Sequence, residues 1–361
     1  MATTPAVPPR ANTIAVFRAL MLGDLLCAVP ALRALRNAYR QSHITLVGLP
    51  WASVFVERFS GLVDDLLVFP GAVGFPEQAE RDDGLPAFHA QACARRFDLA
   101  LQMHGSGGPA NDIVEAMGAR LNAGFRQPHE RARNGTYVDW PDTLAEPLRY
   151  LQLVGALGIP AADASLAFPL RGDDEAEAAR LLRAFAVDPA RAVVLHPGAQ
   201  WASRRWPLDR FAQVADAVSE MGMKVMITGS AGEVPLANAV RNRMRHPAIS
   251  LAGRTSLGAL AALVARVPLV ICNDTGISHV AAAVRTPSVV IASGSDTRRW
   301  APLDRERHLV LAHDVACRPC SYAVCPIGHE CALGIDVARV VQAVRQKLEM
   351  SGALHAPMHV A

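Results

Sequence analysis

The run Val270–Pro287, VICNDTGISHVAAAVRTP, ends an apolar stretch in Asn273-Asp274-Thr275-Gly276 and at once opens an alanine-rich helical stretch with His279 in its first turn. A buried parallel strand that feeds a helix through a glycine-bearing turn aims backbone N–H groups at one spot. The positive end of the helix dipole points there too, so the turn suits a phosphate or pyrophosphate. Alone, this pattern fits any strand-to-helix turn. Three other segments give it company.

Arg18–Pro30, RALMLGDLLCAVP, follows the first apolar run. Gly23 permits a tight turn, and Asp24 falls at the start of a helix, at the carboxyl end of a strand where doubly wound sheets bind ligands. Asp24 reads equally as a helix N-cap or as a working carboxylate, and the two roles are compatible. His196–Pro207, HPGAQWASRRWP, offers a close backbone approach at Gly198 and positive charge at Arg204 and Arg205. Arginine suits bidentate contact with phosphate oxygens; the competing reading is a solvated basic loop with Trp206 in the core. In Thr228–Glu233, TGSAGE, a glycine-rich turn sets Glu233 at a helix start. A carboxylate there either accepts hydrogen bonds from ribose hydroxyls or simply offsets the helix dipole.

A thiol cluster, Cys317-x2-Cys320-x4-Cys325-x5-Cys331, lies near His313 and His329. Four thiolates would close a structural zinc site, but the second pair is spaced more widely than a zinc CxxC. Reduced packing cysteines or a disulfide fit as well, and no metal is assigned. The chain contains no Asp-x-Asp pair to hold a diphosphate-bound Mg²⁺ or Mn²⁺. Leaving-group charge then falls to Arg204 and to helix N-termini.

Positioning these groups requires strands alternating with helices. Strands are expected at Thr13–Phe17, Ile44–Gly48, Leu66–Phe69 and Leu99–Gln102, then at Ala192–Leu195, Lys224–Thr228, Leu269–Asn273 and Ser288–Ala292. Helices are expected over Leu208–Met221, Val234–Arg245, Leu257–Ala265, Ile277–Val284 and Val337–Met350, the last free to pack on either domain. This alternation predicts parallel, doubly wound α/β sheets. The Ala-, Asp- and Pro-rich stretch Ile159–Pro189, with a charged helix at its centre, is read as the hinge. The domains then run 1–165, a linker 166–189, 190–335, and a closing helix and tail 336–361.

At 361 residues, 51% hydrophobic and 19% charged, the chain has material for two closed cores. A net charge of +3 without a long basic run argues against nucleic acid as a partner. The first ten residues read as a frayed tail. Arg18, Asp24 and Arg33 interrupt the apolar stretch that follows, so neither a signal peptide nor a membrane span is expected there. A cytoplasmic chain with reduced thiols at its 7 cysteines is the expectation.

In order along the chain, LGDLLCAVPALRAL, HPGAQWASRRWPLDRF, TGSAGE, NDTGISHVAAAVRTPSVVIASGSDTRRWAPL and CPIGHEC resemble the family 9 glycosyltransferases, the ADP-heptose:lipopolysaccharide heptosyltransferase group. The resemblance implies a GT-B fold, two Rossmann-like domains facing across a cleft, with the acceptor on the N-terminal domain and a nucleotide-sugar donor on the C-terminal one. Asp24 matches the family's catalytic carboxylate, and Asp274, Thr275, Gly276 and His279 match its donor-diphosphate motif. Glu233 matches the acidic residue at the donor ribose. Arg204 stands where the family usually has lysine, which keeps the charge and changes its geometry. Gln102 and His104 occupy the place of a family segment near the acceptor, Gly23 is assigned to the same side, and no basic cluster for a phosphorylated core is matched.

The implied reaction is inverting and needs no cofactor or metal. Asp24 takes a proton from an acceptor hydroxyl attacking the anomeric carbon, while Arg204 and the N–H groups near Thr275 meet charge on the leaving diphosphate. ADP-heptose is the donor implied, a lipopolysaccharide-core glycolipid or related oligosaccharide the acceptor. Domain closure about the hinge would bring the two together. The expected location is the cytoplasm, either free or in peripheral contact with the inner face of the cytoplasmic membrane. A GT-B-like nucleotide-sugar epimerase and a non-catalytic nucleotide-binding protein are the competing readings.

Overall fold

The computed structural model describes residues 10–76 and 84–354; most of the expected N-terminal tail and the last residues of the chain lie outside them. The chain divides into two compact units, Met1–Ser165 and Leu166–Ala361.

In the first unit the order is β1 (Thr13–Phe17), α1 (Leu22–Ala38), β2 (His43–Gly48), α2 (Ser53–Arg58), β3 (Asp65–Val68), α3 (Gly84–Ala94), β4 (Leu99–Gln102), α4 (Pro109–Ala116), β5 (Leu121–Arg126), β6 (Thr136–Asp139) and α5 (Glu146–Ala156). The sheet order is β3-β2-β1-β4-β5-β6, parallel throughout. Strands buried on both faces must be apolar nearly end to end, and Ile14–Phe17 and Leu99–Gln102 are wholly buried. Ala15 and Phe17 face a core containing Phe69, Phe75 and Phe88. On the other side α5 packs along α1.

The second unit begins with α6 (Gly172–Ala184), then β7 (Ala192–His196), α7 (Leu208–Glu220), β8 (Lys224–Ile227), α8 (Val234–Arg241), β9 (Ile249–Ser250), α9 (Leu257–Val264), β10 (Val270–Asn273), α10 (Gly276–Ala283), β11 (Ser288–Ala292), α11 (Thr297–Trp300), β12 (His308–Ala312), α12 (Glu330–Leu333) and α13 (Val337–Met350). Its sheet, β12-β11-β10-β7-β8-β9, is again parallel. Alternation along β7 builds two cores: Val193 and Leu195 pack with α7 and α13, Ala192 and Val194 with α6 and α9. The closing helix α13 therefore belongs to the second unit.

Much of the stretch read as a hinge is also built into that unit. Ala178 and Leu182 of α6, and Val187 after it, lie in its core, so residues 160–171 remain as irregular chain.

Both sheets share the doubly wound order in which the chain reverses direction beside the first strand, at β1/β4 and at β7/β10. Ligands of such sheets bind outside the carboxyl ends of the strands at that switch point. All the candidate residues after β1, β4, β7 and β10 stand there. No helix among the described residues is long and apolar enough to cross a membrane.

Candidate active site

At the first switch point β1 ends in Phe17, in register with Gln102 of β4. Gly23 is buried in the first turn of α1. Asp24 is the third helical residue rather than the N-cap, which is Met21. Its Oδ2 accepts the Met21 N–H at 3.3 Å, the returning arm of a capping box, and the carboxylate keeps 22% of its surface exposed. Capping and exposure thus coexist in one side chain.

Arg18, wholly buried just after β1, was not singled out as a site residue by sequence reasoning. Its Nε donates to the Asp24 carbonyl at 2.8 Å and its Nη2 lies 3.8 Å from Asp24 Oδ1. Nη1 donates to the Met103 carbonyl and to the Tyr150 hydroxyl, which in turn donates to Glu146. Glu146, also wholly buried, is 3.4 Å from Arg18 Nη2 and 3.4 Å from Arg149 Nη1. Burial alone would lower the Arg18 pKa; Tyr150, Glu146 and Asp24 outweigh it and raise it. The one sequence signal for this network was an arginine closing an apolar strand.

His104 follows β4. Its Nδ1 accepts the Ala19 N–H at 3.2 Å, and its ring stacks on Phe17 at 5.1 Å. Burial, then Arg18, pushes its pKa down to about 3, so the imidazole is neutral. Gln102 is fully buried; Nε2 donates to the Gly105 carbonyl at 3.2 Å, while Oε1 has no hydrogen-bond partner.

At the second switch point His196 of β7 pairs with Cys272 of β10. Asn273, wholly buried, donates its amide to the carbonyls of Pro197 at 2.8 Å and Gly198 at 3.4 Å, and accepts the Trp206 N–H at 3.0 Å. One side chain thus ties the turns after β7 and β10 together. Beyond it, half-buried Asp274 and Thr275 lead into α10, which Gly276 opens; the Thr275 side chain makes no capping hydrogen bond. His279 is buried in the first turn, its ring edge-on to Trp300 at 6.3 Å. This leaves the α10 dipole uncapped by Thr275 at the sheet edge.

Glu233 lies over Gly198: a Cβ on that glycine would come within 1.9 Å of Glu233 Oε1. Oε2 accepts from the Ser230 N–H and hydroxyl, both at 2.8 Å. Burial alone would raise the Glu233 pKa; Ser230, His196 and Arg205 outweigh it and lower it. His196 is 4.0 Å away by Nε2, with Nδ1 3.1 Å from Thr228 Oγ1, and burial pulls its pKa down. The carboxylate therefore caps its own turn and also reaches the mouth of β7.

The two neighbouring arginines diverge. Arg205 donates to the Ala199 and Gln200 carbonyls of its own loop. Arg204 Nη2 donates to the Cys320 carbonyl at 2.7 Å, and burial, reinforced by Arg318, lowers its pKa against the opposing effects of Cys320 and Asp274. Trp206 is in the core, its indole N–H shared between the Ala332 and Ile335 carbonyls.

The cysteine-rich segment holds this loop. Ser203 donates to the Ala323 carbonyl at 3.0 Å, His329 Nε2 lies 2.9 Å from the Ser203 carbonyl, and Cys320 donates to Gly294 at 2.7 Å. Gly294 is required there, because a Cβ would meet Cys320 Cβ at 2.7 Å. Arg318 donates Nη2 to the Ala292 and Ser293 carbonyls, whereas its Nε and Nη1, and the hydroxyls of Ser293 and Ser295, have no hydrogen-bond partner. Cys317, Cys320, Cys325 and Cys331 are free thiols, and burial raises the Cys331 pKa. Among the described residues no group of three or more His, Cys, Asp or Glu is arranged to hold a metal ion.

Residues 87–330 match the family model for glycosyltransferase family 9 (heptosyltransferase). The lipopolysaccharide heptosyltransferase 2 of Escherichia coli K12 is 25% identical over 309 residues, 80% of this chain and 85% of that protein. Against the lipooligosaccharide heptosyltransferases 2 of Haemophilus influenzae and Campylobacter jejuni the match spans only 34% and 51% of their length. A family 9 glycosyl transferase from Veillonella parvula superposes with TM-score 0.79 at 22% identity, covering 96% of this chain and 99% of that one. The ADP-heptose LPS heptosyltransferase II of E. coli superposes with TM-score 0.70 at 18% identity, covering 94% and 99%. With two parallel six-stranded sheets in the GT-B manner and this family match over most of its length, the chain belongs to glycosyltransferase family 9, the heptosyltransferases.

Proposed function

We propose that the protein is an inverting, metal-independent glycosyltransferase that moves a heptose from ADP-heptose to a hydroxyl of a lipopolysaccharide-core acceptor. One observation carries the reading: the two switch points hold complementary chemistry, a partly exposed carboxylate at β1 and an anion-directed turn at β10. The E. coli relatives, described as ADP-heptose and lipopolysaccharide heptosyltransferases, supply the substrate class.

In this reading the first unit binds the acceptor and the second the donor. Asp24 accepts the proton of the attacking hydroxyl as the new bond to the anomeric carbon forms. The bond from that carbon to the diphosphate oxygen breaks on the opposite face, inverting the centre, and ADP leaves. The α10 N-terminus, behind Asp274, Thr275, Gly276 and His279, and the Arg204 guanidinium meet the charge that grows on the diphosphate. Glu233 receives the ribose hydroxyls where Gly198 lets the nucleotide approach the backbone. Gln102 and His104 shape the acceptor side. A glycolipid acceptor would bring the protein to the inner face of the membrane without a span of its own.

The direct experiment is ADP release from ADP-heptose with and without lipopolysaccharide-core acceptor, in excess EDTA. Acceptor-dependent release that persists is expected, since the sequence has no Asp-x-Asp pair to present a cation. Activity lost in EDTA and restored by Mg²⁺ or Mn²⁺, with the fold intact, would reject the metal-independent route; restoration by zinc alone would point to Cys317, Cys320, Cys325 and Cys331. Epimer formed from donor alone would favour an epimerase, and ADP binding with no turnover a binding protein.

Gly198→Ala tests the ribose assignment. The obstruction is the flexible end of Glu233, so the fold should survive with its thermal midpoint within a few degrees of the wild type. The displaced carboxylate should weaken ADP binding several-fold, and Glu233→Gln should do the same. Because both changes act on one contact, the double variant should be little worse than either alone. Calorimetric titration of ADP checks this, and additive losses would mean that Gly198 and Glu233 act separately.

A further inference from the structure

We infer that Arg18 is the positioning residue of the transfer reaction: held from behind by Glu146 and Tyr150, it fixes the turn that carries Asp24 and keeps that carboxylate charged. The inference rests on the reading of Asp24 as the base.

The geometry is that of a bracket. Arg18 directly follows Phe17, the last register position of β1, and turns inward with no exposed surface. One edge of the guanidinium holds the backbone of Asp24 through Nε, while Nη2 faces its carboxylate. The other edge is fastened to the Met103 carbonyl after β4 and to the Tyr150 hydroxyl on α5. Arg18 also lies 4.4 Å over the Tyr150 ring. The first turn of α1 is thereby tied to β4 and α5 as well as to its own strand. A guanidinium does this because its planar fork reaches several acceptors in fixed directions.

Charge gives the second part of the role. A lone buried cation is costly, and a buried pair is retained only where its partners are complete. Glu146, shared with Arg149, faces Arg18 from behind, and Asp24 is the partly exposed carboxylate on the open side. The other titratable groups at the bracket are Tyr150 on α5, Arg149 on α5 beyond Glu146, Cys27 on α1 and neutral His104 after β4. An opposite charge within about 4–6 Å favours the ionised form of a carboxylate. Arg18 therefore favours the proton-accepting form of Asp24.

The test compares the wild type with Arg18→Gln, Arg18→Lys and Asp24→Asn, recording kcat and KM from pH 4.5 to 9. Arg18→Gln should move the acid limb of kcat/KM upward by about one unit and lower kcat roughly tenfold or more, with KM for donor little changed. Arg18→Lys keeps the charge and loses the fork, so its acid limb should stay at the wild-type position while kcat still falls. If Arg18→Gln does not fold because Glu146 keeps only Arg149 and Tyr150 as partners in the buried cluster, Arg18→Gln/Glu146→Gln replaces it, with the same fall in kcat and a smaller upward shift. A folded Arg18→Gln or double variant with kcat within twofold of the wild type and an unmoved acid limb overturns the role of Arg18, provided Asp24→Asn is inactive. An active Asp24→Asn instead overturns the reading of Asp24, and with it the positioning role.

Discussion

Asp24→Asn should lower turnover by roughly 10²–10⁴ while leaving donor affinity within a few-fold of the wild type. Asparagine keeps the volume and an oxygen that can still accept the Met21 N–H, so the first turn of α1 stays capped. What it loses is basicity. The attacking hydroxyl must then shed its proton without a positioned acceptor, whereas donor binding, assigned to the second unit, has no stake in the change. Steady-state release of ADP, set beside calorimetric ADP binding, separates the two effects. Near-normal turnover in this variant would reduce Asp24 to its capping role.

Arg204→Ala should weaken ADP binding by about 10- to 150-fold, the equivalent of losing a charge-assisted phosphate contact worth roughly 1.5–3 kcal/mol. The arginine is held by the Cys320 carbonyl and is only half-buried, so its removal should not collapse the loop; Ser203 and Trp206 retain their own hydrogen bonds. Asp24→Asn titrated alongside should bind ADP nearly as the wild type does. Equal affinity in Arg204→Ala and wild type would move the diphosphate elsewhere and return the Arg204-Arg205 turn to a solvated loop.

Much of this arrangement is legible in the sequence because buried parallel strands announce themselves. Thr13–Phe17, Leu99–Gln102 and Ser288–Ala292 lie where their apolar runs place them. Some strands escape because their patterns are weak: Leu121–Arg126 carries Asn and Gly, Thr136–Asp139 has no fully buried residue, and Ile249–Ser250 has only two residues; His308–Ala312 escapes although its run is apolar. α6, charged on its solvent face, buries its Ala178 and Leu182 in the second core, a packing role that its Ala- and Asp-rich composition does not mark. Turn motifs mark Asp24, Glu233 and the Asp274–His279 turn as candidates, since glycine and helix-start chemistry leave local marks.

The residues that hold those turns in place left no such mark. Arg18 meets Glu146 across 128 positions, and Asn273 meets Pro197 across 76. Only the folded sheet brings such partners together.

The Asn273 amide has a consequence for how the donor side can change over generations. It welds the turns after β7 and β10 into one block, while the turn after β8 is closed by its own Ser230–Glu233 cap. Residues 229–233 thus form a self-capped turn that meets the fixed frame through Glu233, over Gly198 and beside His196. On the proposed donor assignment, drift or a laboratory graft in residues 229–233 would alter which nucleoside is accepted, while the block proposed to face the departing phosphate would be inherited unchanged.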